Sequence, residues 1–132
     1  MRYVPPFEHI KGHLRVSEAR GGAIRVKATY EDMLRLIQAL LVGIDVDEAW
    51  YLQQNEDVAQ GIREGKIQSA KQHFLDHGYF EGRAPYRIAV DEAWYLATNA
   101  DVAEQVRLGT FASGQAHFDA AGYQEGRLPR AP

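Results

Sequence analysis

The chain repeats itself, and no other property narrows its fold as much. Residues 46–85 fall on residues 90–129 without a gap at an offset of 44, and 22 of the 40 aligned positions are identical. The copies open VDEAWYLQQNEDVA and VDEAWYLATNADVA and close HFLDHGYFEGRAP and HFDAAGYQEGRLP. A gapless duplication of this period means two copies of one supersecondary unit that needs neighbours to bury its apolar face.

Each copy reads as three short helices. Asp47 and Asp91 are N-cap residues for a first helix reaching Asn55 and Asn99. These asparagines suit a second cap through their side chains, and Glu56 and Asp57 add negative charge where the helix dipole favours it. A second helix over residues 58–64 stops at Gly65, with Gly109 as its counterpart, each suited to a left-handed C′ position. The third starts at Ser69 or Ser113 and ends at Gly78 or Gly122; the Gly-x-x-Pro tail that follows is a loop. Leu52, Val58, Phe74, Leu96, Val102 and Phe118 are the expected core.

Residues 1–45 differ in kind. Residues 13–18 and 23–27 alternate apolar and polar side chains around Ala-Arg-Gly-Gly, which predicts a β-hairpin. Leu14, Val16, Ile24 and Val26 form its apolar face, and a lone hairpin is marginal unless that face is covered. The expected cover is a helix over residues 30–42 with Thr29 as N-cap. Its apolar side chains span an arc of about 160°, wide enough for two surfaces. The predicted fold class is therefore mostly α, a helix-dominated α+β chain: an N-terminal hairpin plus helix (1–45), then helical repeats at 46–85 and 90–129.

Charge divides along the same line. Residues 1–28 hold six basic and two acidic side chains, a net +4, while residues 29–132 hold nine basic and sixteen acidic, a net −7, within a total of −3. The basic surface is Lys11, Arg15, Arg20, Arg25 and Lys27, suited to an acidic partner or a polyanion. At 45% hydrophobic and 25% charged residues, the composition excludes disordered and collagen-like classes. The longest apolar run, residues 39–44, is far below the roughly 20 residues of a membrane span. The first residues carry no apolar signal-peptide core, so the expected location is the cytoplasm, with export lacking a cleaved signal left open. With no cysteine, disulfides and thiolate metal sites are excluded.

The pattern Asp-Glu-Ala-Trp-Tyr-Leu, Asn-x-Asp-Val-Ala, His-Phe and Gly-Tyr-x-Glu-Gly-Arg-x-Pro resembles a short repeat module of bacterial polysaccharide-cluster glycosyltransferases and RTX-type surface proteins. The resemblance covers residues 46–129. It departs at Glu56 and Ala100, where that module often carries Pro. It implies an accessory module linked to polysaccharide and assigns no catalytic role; these residues contain neither a glycosyltransferase catalytic domain nor a glycine-rich calcium repeat.

The candidate ligand-binding residues are those matched between copies: Trp50, Tyr51, His73 and Arg83, with Trp94, Tyr95, His117 and Arg127. An edge Trp or Tyr can stack on a sugar face, though packing against Phe74 and Phe118 explains the same rings. His73 and His77 stand at i, i+4, but Ala121 replaces the second histidine, so no metal is expected. The histidines are expected to bond backbone or Glu81 and Glu125. Glu81 and Arg83 read as a loop-locking pair, with an Arg fork on a carboxylate or phosphate as the alternative. No nucleophile elbow, phosphate loop or HExxH motif is present, and the Asp-Glu pairs sit at helix caps, so no catalytic residue and no cofactor are expected.

Three functions follow as expectations. The first is a non-catalytic binding or assembly module associated with bacterial cell-envelope or extracellular polysaccharide. The second is an oligomeric protein–protein adaptor or regulator. The third, with the least support, is a nucleic-acid-binding regulator using the basic hairpin. A homodimer through residues 1–43 is expected because the helix at 30–42 presents more apolar surface than the hairpin can cover.

Overall fold

A computed structural model describes residues 3–132. A short helix, α1 (Phe7–Lys11), precedes an antiparallel hairpin of β1 (Arg15–Glu18) and β2 (Ile24–Lys27). Arg15 pairs with Lys27, Val16 with Val26, Ser17 with Arg25 and Glu18 with Ile24. The turn places Gly21 and Gly22 at φ +85° and +78°, which side chains other than Gly rarely tolerate, so the Gly-Gly pair closes the hairpin. Helix α2 (Tyr30–Leu41) starts in a full capping box: the Thr29 hydroxyl accepts from Asp32 N, and the Asp32 carboxylate accepts from Thr29 N.

The first repeat contains α3 (Glu48–Gln54), α4 (Glu56–Arg63) and α5 (Ala70–His73), the last running into a π-helical turn at Phe74–Gly78. The second contains α6 (Glu92–Thr98), α7 (Ala100–Arg107), α8 (Gly114–His117) and a π turn at Phe118–Gly122. The aspartate caps are as expected: Asp47 accepts from Trp50 N and Asp91 from Trp94 N. Ser69 and Ser113 cap the third helix in the same way. Each repeat also closes on itself, with Asp47 N donating to Pro85 O at 3.0 Å and Asp91 N to Pro129 O at 2.9 Å. The helix-dominated α+β class holds, and no helix among the described residues is long and apolar enough to cross a membrane.

Contacts divide the chain after Tyr86 rather than after residue 45. The reason lies in α2, whose Leu41 is buried with Tyr51, Val58, Ala70 and Phe74, and whose Ile37 packs at the edge of that cluster. The N-terminal helix thus completes the core of the first repeat and belongs to the same unit. The second unit has its own core of Tyr95, Val102 and Phe118, edged by Ile88, Val90, Trp94 and Leu96.

Two expectations need correction. Leu52 and Leu96 are only half-buried, and the centre of each core is instead Tyr51 or Tyr95, both 0% exposed. The hairpin also does not rest its apolar face on α2: Ile24 is 74% exposed, Val26 57% and Val16 43%. The buried side of α2 faces the first repeat, and α1 lies against α2, which leaves the hairpin face uncovered except at half-buried Leu14.

The π turns bring Gly78 and Gly122 against the tyrosine hydroxyls, where a Cβ would collide with Tyr51 or Tyr95. Gly78→Ala should therefore cost about 1–3 kcal/mol, the usual range for overpacking. Phe74→Ala should cost about 3–5 kcal/mol as a large-to-small core change. Urea denaturation measures both, and a Phe74→Ala loss below about 1 kcal/mol would place that ring outside the core.

Candidate functional site

The residues matched between copies form one polar lattice, built twice. Tyr51 lies on α3 and His73 on α5, and the Tyr51 hydroxyl is hydrogen-bonded to His73 Nδ1 at 3.0 Å; Tyr95 and His117 repeat the bond at 3.0 Å. A phenol can sit at the centre of so small a core only because its polar tip has a partner. The edges of Phe74 and Phe118 close on the tyrosine rings at centroid distances of 6.0 and 5.9 Å. Burial pushes the Tyr51 hydroxyl up to about 12 and raises that of Tyr95; it also lowers the pKa of His73. The expected bonds from the histidines to backbone or to Glu81 and Glu125 give way to these tyrosine bonds.

A second latch lies beside the first. Asn55 does not cap α4 with its side chain; its Nδ2 donates to Tyr51 O at 2.8 Å, and its Oδ1 accepts from Arg83 Nη1 at 2.8 Å. Arg83 spreads both Nη atoms over Asp57 at 2.9 and 2.8 Å and places Nε on Glu81 at 2.8 Å. Arg127 does the same with Asn99, Asp101 and Glu125. The guanidinium fork outcompetes a helix amide for the asparagine oxygen because a charged planar donor binds more strongly. The hydrogen bonds from Arg83 and Arg127 hold Asp57 and Asp101 down at about 2. The loop-locking pair and the fork, posed as alternatives, are both present on one arginine.

Of the eight candidate side chains, the two tyrosines are enclosed, while the histidines and arginines are bonded inside their own repeats. Trp50 and Trp94 are the half-buried aromatics among them. The Tyr–His bond escaped sequence reading, yet a signal was present. His73 and His117 are matched while His77 is not, and each matched histidine stands 22 residues after a matched tyrosine.

The basic hairpin differs sharply from the repeats. Arg35, Arg63, Arg83, Arg107 and Arg127 each have a carboxylate partner, and Lys11 pairs with Glu8 at 3.0 Å. Among the described residues, Arg15, Arg20, Arg25 and Lys27 have no ion pair, although Arg15 and Lys27 stand directly opposite across the ladder. Exposed apolar groups share this region: Phe7, Tyr30, Met33, Leu40 and Val42 in addition to the hairpin face. No group of three or more His, Asp or Glu able to hold a metal occurs among the described residues.

The shifted groups set a pH dependence. His73 has a lowered pKa in the fold, so the unfolded chain takes up that proton first and stability declines as pH falls below about 6.5. Asp57 has the opposite chemistry but the same direction: its contribution is complete above the ordinary carboxyl value of 3.8 and is lost as pH falls toward about 2. Denaturation midpoints from pH 8 to pH 2 should therefore show two declines. His73→Gln should flatten the upper one and Arg83→Lys the lower one. An upper step unchanged by His73→Gln would remove His73 as its source.

Comparison of the chain with models of known families, with curated proteins and with solved structures finds no match.

Proposed function

We propose that the chain is a non-catalytic assembly module that joins a second copy of itself through residues 1–43, with the repeats as its rigid part. Met1 and Arg2 of that segment lie outside the described residues. The observation that carries this reading is the contrast in surface. The repeats spend their matched polar side chains on internal bonds and expose scattered apolar groups such as Leu108 and Leu128, whereas in the N-terminal segment the exposed apolar groups gather on α2 and the hairpin. Tyr30 is 72% exposed, and Met33 and Leu40 lie on the same side of α2 at steps of three and seven residues. A stable interface takes about 800 Å² from each partner, so it would have to draw on both α2 and the hairpin face.

Charge selects the form of the contact. Joining two hairpins edge to edge would set Arg25 and Lys27 against the same residues of the other copy, and like charges directly opposed across strands are unfavourable. Packing the apolar faces of α2 and the hairpin about a two-fold axis keeps those cations outside. Light scattering after gel filtration should give about 30 kDa, twice the 14.9 kDa of one chain. Leu40→Asp or Val26→Asp should return it to the mass of one chain. A single 15 kDa species at about 100 μM, unchanged by either variant, overturns the reading.

A second reading rests on Trp50 and Trp94, which keep partial exposure at matched positions, together with the resemblance to polysaccharide-linked modules. In that reading the repeats hold a glycan by stacking. Bacterial exopolysaccharides should then shift tryptophan fluorescence, and replacing both tryptophans with Phe should abolish the response. No shift across an acidic and neutral panel leaves self-assembly as the function.

A further inference from the structure

The base of the hairpin holds an open pocket of about 380 Å³, walled by His13 and Arg15 on one side and by Lys27, Thr29 and Asp32 on the other. Arg15 and Lys27 are direct partners in the strand register, so two like charges face each other at its rim. Such a pair opposes hairpin formation, yet no carboxylate bridges it. The one acid in the wall, Asp32, is turned to the start of α2, where it accepts from Thr29 N at 3.0 Å and completes the capping box. The charge of Arg15 reaches Asp32 and helps hold its carboxyl low, but neither Arg15 nor Lys27 forms an ion pair among the described residues.

We propose that this pocket binds a small phosphate monoester. Two cations match the two negative charges of such a group. The arginine supplies a planar fork for two of its oxygens, and the lysine a compact charge for a third. The volume lies at the low end of small-molecule sites, roughly 300–1,000 Å³, which suits a phosphate on a short carbon skeleton. Binding would also relieve the repulsion between Arg15 and Lys27, so ligand and hairpin stabilise each other. The site adjoins the apolar face at Leu14, which lines it, but its cations Arg15 and Lys27 stand at other strand positions than Val16, Ile24 and Val26.

The test is a titration of the isotope-labelled full chain with glycerol 3-phosphate at constant ionic strength, read from backbone amide shifts. Saturable shifts at Gly12, His13, Lys27 and Thr29 are expected, while amides of the second repeat stay in place. Arg15→Gln and Lys27→Gln should each raise the half-saturating concentration about tenfold. Both replace exposed side chains, and unmoved repeat amides report that the variants are folded. A parallel titration with inorganic phosphate separates two supporting outcomes: equal affinity assigns recognition to the phosphoryl group alone, and weaker affinity shows that the carbon skeleton is also read. Shifts that never saturate, that sodium chloride reproduces, or that survive both variants overturn the site. So does a thymidine oligonucleotide that moves the same amides at a hundredfold lower concentration, because the hairpin would then be a nucleic-acid surface.

Discussion

Everything in the repeats is arranged around a buried tyrosine hydroxyl. A unit of about 40 residues has too little apolar surface to stabilise itself by burial alone, and one aromatic ring supplies much of what it has. Tyr51 and Tyr95 deliver that ring only if the hydroxyl is satisfied, because an unpaired buried donor costs about 1–3 kcal/mol. His73 and His117 meet that requirement from the third helix. The π turn then follows from geometry: it sets Gly78 or Gly122 against the hydroxyl, where no side chain fits. Asn55 and Arg83 extend the same logic outward, fastening the backbone of the tyrosine's own helix to the closing loop.

The two units complete their cores differently. The first borrows Leu41 from α2. The second uses polar clasps that the first lacks: the Gln115 side chain accepts from Val90 N at 2.8 Å and donates to Ile88 O at 3.0 Å, tying the entering chain to the third helix. Glu92 adds bonds to the amides of Gly114 and Gln115 at the start of that helix. Lys71 occupies the position of Gln115 in the first copy and cannot accept a hydrogen bond. Two copies identical at 22 of 40 positions thus reach the same architecture with apolar closure in one case and polar closure in the other.

How much of this was legible follows from the range of each interaction. The caps at Asp47, Asp91, Ser69 and Ser113, the C′ glycines and the hairpin turn are local, so a few adjacent residues determine them. Val58, Phe74, Val102 and Phe118 were readable as core because periodicity and matching agree. The Tyr–His bond and the identity of the carboxylate under the Arg83 fork were not, since each joins residues more than 20 apart whose side chains equally suit a surface role. The role of Asn55 was misread for a related reason: a local cap and a distant guanidinium compete for one oxygen, and local rules do not show the competitor. The hairpin's missing cover depended on which side of α2 faces the first repeat, a tertiary choice that a broad apolar arc leaves open.

The bonds from Asp47 to Pro85 and from Asp91 to Pro129 have a consequence for how such a chain can grow. In each repeat the entering and leaving segments meet, so each unit is by itself a closed bead. A bead whose two ends coincide can be inserted, deleted or duplicated in the gene with little disturbance to its interior. The gapless 44-residue offset is what such an event leaves behind. Copy number becomes a quantity that selection can adjust by recombination.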